Sequence, residues 1–187
     1  MPDQLKMRRL TSGTLPDIVL PEGYTLRSYR EGDDEAWADI ITRSGDLGEH
    51  SVESTREKLT GQTRFKPEGL LFIETAGEPV ATACAWRDRD DQWDTGQVHM
   101  VAVVPEHRGQ RLSYWVSAAV CHVLRDWGMR EVILTTDEFR KAAVKVYLNL
   151  GFLPVVRNES HWDRWAAVYA EYGMTGLAEH MRNRATV

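Results

Sequence analysis

The stretch that most constrains this chain is Val98–Ser113, VHMVAVVPEHRGQRLS. An apolar, strand-forming run ends at Pro105, which cannot donate to a sheet ladder, and Arg108-Gly109 turns the chain. Leu112, Trp115, Val116, Ala119, Val120, Val123, Leu124 and Trp127 then recur at helical spacing before Gly128. That pattern predicts a helix from Gly109 to Trp127. The first amides of such a helix have no intrahelical acceptor and form an anion site. Gly109 leaves the backbone bare where a phosphate would approach. Arg108 and Arg111 add positive charge suited to forked contacts with phosphate oxygens. The plain alternative is an ordinary strand–turn–helix with two solvated arginines. A full Walker pattern and a Gly-x-Gly-x-x-Gly are both absent, which disfavours nucleoside triphosphate and NAD readings.

Composition narrows the class. With 187 residues and a net charge of −5, the chain is expected to be one domain with a proper core and to lack the basic excess that nucleic-acid binding requires. Its longest purely apolar run is Met100 to Val104, far short of the roughly 20 residues of a membrane span, and with no basic, apolar and small-residue succession at its start no secretory signal is expected. Cys84 and Cys121 sit in apolar stretches, like small core residues. The six histidines lack zinc spacing, so no metal is expected. A soluble, reducing, cytoplasmic setting follows as the expectation.

Residues 1–23 read as an irregular arm. Tyr24 to Tyr29 alternates as a strand, Asp33 caps a helix to about Arg43, and a short polar helix runs from Ser51 to Gly61. Gly69–Ala76 and Pro79–Trp86 form a hairpin turning at Gly77-Glu78, and Gln97–Val104 is a long strand. Glu131–Thr136, a helix from Phe139 to Leu150, and Leu153–Arg157 complete the body. The tail, His161 to Asn183, reads as two helical pieces split around Gly173 to Gly176.

A second informative segment is Lys141–Phe152, KAAVKVYLNLGF, in which Ala143, Val144, Tyr147 and Leu150 share a face. Tyr147 either fills the core or presents a phenol that donates a proton to a departing anion. Taken together, the two segments resemble the GCN5-related N-acetyltransferase (GNAT) superfamily over roughly residues 24–157. The family's acetyl-CoA signature, a Val-ending strand followed by Arg/Gln-x-x-Gly-x-Gly/Ala, is matched by Val101-Ala102-Val103-Val104-Pro105 and then Arg108-Gly109-Gln110-Arg111-Leu112-Ser113. The later element, Asn-x-x-Ala-x-x-x-Tyr-x-x-x-Gly-Phe, is matched by Arg140, Ala143, Tyr147 and Gly151-Phe152.

The resemblance implies an α/β (α+β) fold: a mixed, mostly antiparallel central sheet flanked by helices, here with a helical extension over residues 158–187 packed on the same domain. It implies an acetyl-CoA-dependent N-acetyltransferase acting by direct transfer to a small amine acceptor. The backbone of Val101, Ala102 and Val103 would pair with pantetheine amides. Amides of Arg108, Gly109, Gln110, Arg111, Leu112 and Ser113 would hold the pyrophosphate. Tyr147 would protonate the leaving thiolate, with Arg140 and Ala143 beside the cofactor. Arg111 and Ser113 depart from the family's small residues, and Arg140 from its asparagine. Arg111 is cheap with helical φ/ψ and would gain a phosphate contact, but costly where the backbone must be bare.

For the base, His99 lies on the cofactor-pairing strand and either relays the amine's proton or is a satisfied buried histidine. Glu74, Asp94 and Glu106 are fallback carboxylates. Ser44 to Gly61, Trp86 and Trp93 would line the acceptor side, with Asp88, Asp90, Asp91 and Asp94 either steering a cation or forming a solvated loop. Trp162 and Trp165 would cover the same chain or a second copy, making a monomer or homodimer. Two other readings stay open: a non-catalytic acyl-CoA-binding module, and a transferase whose acceptor is a protein lysine or N-terminus.

Overall fold

The structure, a computed structural model, describes residues 3–87 and 93–174. The chain divides into two compact units, Leu10–Ile133 and Met1–Arg9 with Leu134–Val187. These boundaries differ from the divisions after residues 23 and 157 that sequence pattern suggests.

In the larger unit, strands β2 (Tyr24–Ser28), β3 (Leu70–Thr75), β4 (Glu78–Trp86) and β5 (Thr95–Val103) pair antiparallel in that order. The start of β6 (Glu131–Thr136) joins β5 in parallel over Thr95–Gln97. β4 is buried from Val80 to Trp86, as befits a central strand covered on both faces. Its hairpin turns at Ala76-Gly77, one residue earlier than expected, with Thr75 paired to Glu78.

Helix α1 (Asp34–Ser44) turns Trp37, Ile40 and Ile41 inward against β4 and β5, while α3 (Leu112–Asp126) lies over β3, β4 and β5 through Val116, Val120 and Leu124. Asp33 stands at the head of α1, but its carboxylate takes Arg27 at 2.6 Å rather than capping the helix. Between these helices, the short helix α2 (Val52–Thr55) starts from a Ser51–Ser54 capping box and runs into a π-helical turn, Arg56–Thr60. Such insertions recur at functional sites.

The smaller unit corrects the reading of residues 1–23 as irregular. Leu5–Leu10 is a strand, β1, antiparallel to β7 (Leu153–Val155). Leu5, Met7 and Arg9 face inward, and the arginine on the inner face hides the alternation from a hydrophobicity pattern. Helices α4 (Lys141–Asn149) and α5 (Glu159–Glu171) belong to this unit. α5 buries Trp165, Val168 and Tyr169, and its Arg164 bonds Glu138 at 3.0 Å and the Asp3 carbonyl at 2.7 Å within the same unit. The second helical piece of the expected tail lies outside the described residues.

A Cβ built at Gly96 on β5 would sit 2.4 Å from Leu124 Cδ2 of α3 and 3.2 Å from its Cγ. Leu124 is fully buried and has little room to yield. Gly96→Ala should therefore destabilise the fold by about 1–3 kcal/mol, read as a lower urea midpoint at unchanged m-value.

Candidate active site

Strand β5 carries a defect that organises everything downstream. Cys84 pairs with His99 and Thr82 with Ala102, so Met100 and Val101 together face Ala83 alone. This is a β-bulge, which bends and twists its strand. Met100 holds it with φ 52°, a left-handed conformation that a side chain adopts only at some cost. The parallel ladder with β6 ends at Gln97–Ile133, so the far edge of Met100–Val103 lies past it. Sheet backbone beyond its ladder is a template for an added extended partner.

Past Val103 the chain makes a single 3₁₀ turn, Pro105–His107, and α3 begins at Leu112, three residues later than the hydrophobic pattern suggests. Arg111 is the reason. It is not helical but left-handed, φ 60° and ψ 19°, at the N-cap position. The amides of Tyr114 and Trp115 close on the Arg111 carbonyl at 3.0 and 3.2 Å, leaving those of Leu112 and Ser113 without an intrahelical acceptor. Gly109 is also left-handed, φ 81°, and a Cβ there would meet nothing within 4 Å. The loop is thus a turn of exposed backbone, open above Gly109, running into the positive end of a helix dipole.

The two arginines expected to fork onto phosphate are otherwise engaged. Arg111 spreads its guanidinium over Tyr114 (4.8 Å) and Trp115 (5.5 Å), contacts that offset part of its backbone cost. Arg108 donates to the Ser44 carbonyl at 2.7 Å and approaches the Asp46 carboxylate at 3.9 Å. Glu106 meets Arg43 at 3.0 Å. Its own backbone amide and then Arg43 hold its carboxyl below the usual range. His107 Nδ1 and the Tyr24 hydroxyl lie 2.8 Å apart. The hydrogen-bond partners of Glu106, His107 and Arg108, 63 to 83 residues distant in sequence, carry no local signal.

His99 is half-buried and stacks on Trp86 at 5.8 Å, and Arg64 lies 5.3 Å over the same indole. The fallback carboxylates have other partners: Glu74 is bound to Arg27 at 2.6 Å, Glu106 to Arg43, and Asp94 accepts the Thr95 hydroxyl. Cys84, opposite His99, is an inert thiol whose pKa burial pushes up. Trp93 is 81% exposed, while Asp88, Asp90 and Asp91 lie outside the described residues. In the α1–α2 connection, His50 is clamped by Thr42 through its amide (2.9 Å) and carbonyl (3.3 Å). Burial, then Lys58, lowers its pKa.

Tyr147, Arg140 and Ala143 belong to the smaller unit. Tyr147 is 7% exposed, at the closing turn of α4. Gly151, φ 78°, ends that helix so that the Phe152 amide returns to the Tyr147 carbonyl at 3.0 Å. Phe152 packs edge-on against the phenol ring at 6.0 Å. Arg9 of β1 bonds the Leu150 carbonyl and lies 6.0 Å over Phe152. The Gly-Phe pair and Arg9 thus fix the phenol's seat. Arg140 pairs with Asp137 at 3.6 Å. Among the described residues, no group of three or more His, Cys, Asp or Glu is placed to hold a metal, and no helix is long and apolar enough to cross a membrane.

Two results should follow. Arg111→Gly relieves the left-handed strain that Arg111→Ala keeps, so the glycine variant should be the more stable by roughly 0.5–1 kcal/mol after glycine's entropic cost, measured by urea unfolding. His50 binds its proton less well folded than unfolded. Its contribution should be complete above about pH 6.5, fall as pH drops through that value, and level off below the folded-state pKa. His50→Gln should remove this step from the stability–pH profile.

A family model described as acetyltransferase (GNAT) family matches residues 34–152. A mycothiol acetyltransferase from Kytococcus sedentarius is 33% identical over 157 residues, covering 79% of this chain and 52% of the relative. Another, from Thermobispora bispora, is 33% identical over 155 residues with coverages of 79% and 52%. The chain spans about half the length of these curated relatives. Among solved structures, a GCN5-related N-acetyltransferase from Sphaerobacter thermophilus shares the fold, with a TM-score of 0.67 at 22% identity over 81% of this chain and 48% of that one.

Proposed function

Because the chain belongs to the acetyltransferase (GNAT) family, we propose that it moves the acetyl group of acetyl-CoA directly onto the amine of a small-molecule acceptor. The observation that carries this reading is the bulge at Met100, which leads the Met100–Val103 backbone straight into the open turn at Gly109. The two features fit an acyl-CoA: an extended amide chain needs a strand edge, and a pyrophosphate needs backbone donors at a helix start.

Acetyl-CoA, when bound, supplies an activated thioester. The backbone of Val101, Ala102 and Val103 pairs with the donor's amides, which orients the reacting carbonyl. Backbone amides of Arg108, Gly109, Gln110, Arg111, Leu112 and Ser113 hold the pyrophosphate. His99, its ring plane set by Trp86, takes the proton that the attacking amine loses as the N–C bond forms. His99 is favoured over Glu74, Glu106 and Asp94 because it lies on β5 immediately before the bulge at Met100, beside the backbone assigned to the donor. By the family resemblance, Tyr147 would be the group that gives its hydroxyl proton to the leaving sulfur as the C–S bond breaks. The relatives are named mycothiol acetyltransferases, which makes their acceptor the first probe for this chain.

Tyr147→Phe should lower turnover about 10²-fold in a thiol-release assay while calorimetry finds acetyl-CoA affinity unchanged. Unaltered turnover would remove Tyr147 from the mechanism.

A further inference from the structure

Three successive residues of the cradle loop reach outward. Glu106 meets Arg43 of α1 at 3.0 Å, His107 meets Tyr24 of β2 at 2.8 Å, and Arg108 meets the Ser44 carbonyl at 2.7 Å. Ser44 is the last residue of α1, and Gly45 follows in the left-handed region, φ 74°. The Ser44 carbonyl is therefore one of the terminal carbonyls a helix cannot satisfy itself, at the dipole's negative end. A guanidinium is the natural partner for it.

We propose that Arg108 is a positioning residue: it ties the donor cradle to the C-terminal end of α1, so that filling the cradle orders the Gly45–Ser51 connection. The connection is fastened at both ends, which makes it a body that can be ordered as a whole. Arg108 holds its start at Ser44, and Thr42 holds its far end at His50 through bonds of 2.9 and 3.3 Å. Ser51 then opens α2 through the capping box. Arg43–Glu106 runs parallel to the Arg108 contact but is a solvent-exposed pair, and such pairs contribute little alone. The Arg108 bond differs in its acceptor, a helix-end carbonyl on the buried residue Ser44, which makes it the better shielded tie although the guanidinium is itself half exposed. Coupling of this kind is reciprocal: whatever orders the connection tightens donor binding by the same factor. The proposal rests on the acetyl-CoA reading of the cradle.

Hydrogen exchange on the full chain, with coenzyme A as the probe, tests both statements separately. In the unaltered protein, coenzyme A should slow exchange over Gly109–Trp115 and also over Gly45–Ser51, the latter by about 5- to 10-fold. In Arg108→Met at saturating coenzyme A, protection over Gly109–Trp115 should remain and that over Gly45–Ser51 should vanish. Arg108→Lys, which keeps a donor and the charge, should restore part of it. Equal protection of Gly45–Ser51 in the unaltered and Arg108→Met proteins would overturn the tie and leave Arg108 a phosphate ligand at most. The tie is overturned equally if, in the unaltered protein, Gly45–Ser51 stays unprotected while the cradle is protected. Absence of protection over Gly109–Trp115 in the unaltered protein would instead overturn the donor reading, and the tie with it.

Discussion

Everything in the larger unit's site follows from one irregular backbone position, Met100 with φ 52°. A regular β5 would continue its ladder with β4 and present no change of direction. The bulge shifts the register between His99 and Ala102 and bends the strand just before the loop that starts α3. Strain of about 1–3 kcal/mol at a non-glycine residue persists only where its surroundings over-determine it. Here the surroundings are two paired ladder blocks, Gln97–His99 against Cys84–Trp86 before the bulge and Ala102–Val103 against Ala81–Thr82 after it.

Arg111 repeats that logic one turn later. A left-handed residue at the N-cap delays α3 until Leu112 and turns the preceding backbone outward. Glycine would do this without strain, and an arginine does it with partial compensation from Tyr114 and Trp115. The two departures from regular geometry bracket the segment assigned to the donor. The residues between them are pinned from outside, by Tyr24, Arg43 and Ser44. These contacts, made from β2 and α1, hold the loop backbone between the two irregular positions in place, and a loop so held has less to lose on binding a ligand.

Much of this is legible in the sequence. The strand–turn–helix of Val98–Ser113, the hairpin and the Gly151-Phe152 closure all follow from hydrophobic period and turn residues, because their determinants are local. What stays hidden is non-local or conformational. β1 is masked because Arg9 occupies an inward position, where it meets the Leu150 carbonyl and the Phe152 ring, residues far from it in sequence. The left-handed state of Arg111 is invisible because helical periodicity in Leu112–Trp127 extends smoothly backward over it. The roles of Arg108 and Glu106 depend on α1, some 60 residues away, and charge alone points them at a phosphate.

In the proposed function, bulge and open turn together form the donor site for an acyl-CoA. Isothermal titration of the protein with acetyl-CoA, beside the Met100→Pro variant, tests it most directly. Proline cannot adopt positive φ, so the variant cannot keep the bulge as built. Saturable one-to-one binding by the unaltered protein, lost in a variant that remains folded by circular dichroism, is the predicted result. No binding by the unaltered protein, or equal binding by both, would mean that the bulge does not form a donor site.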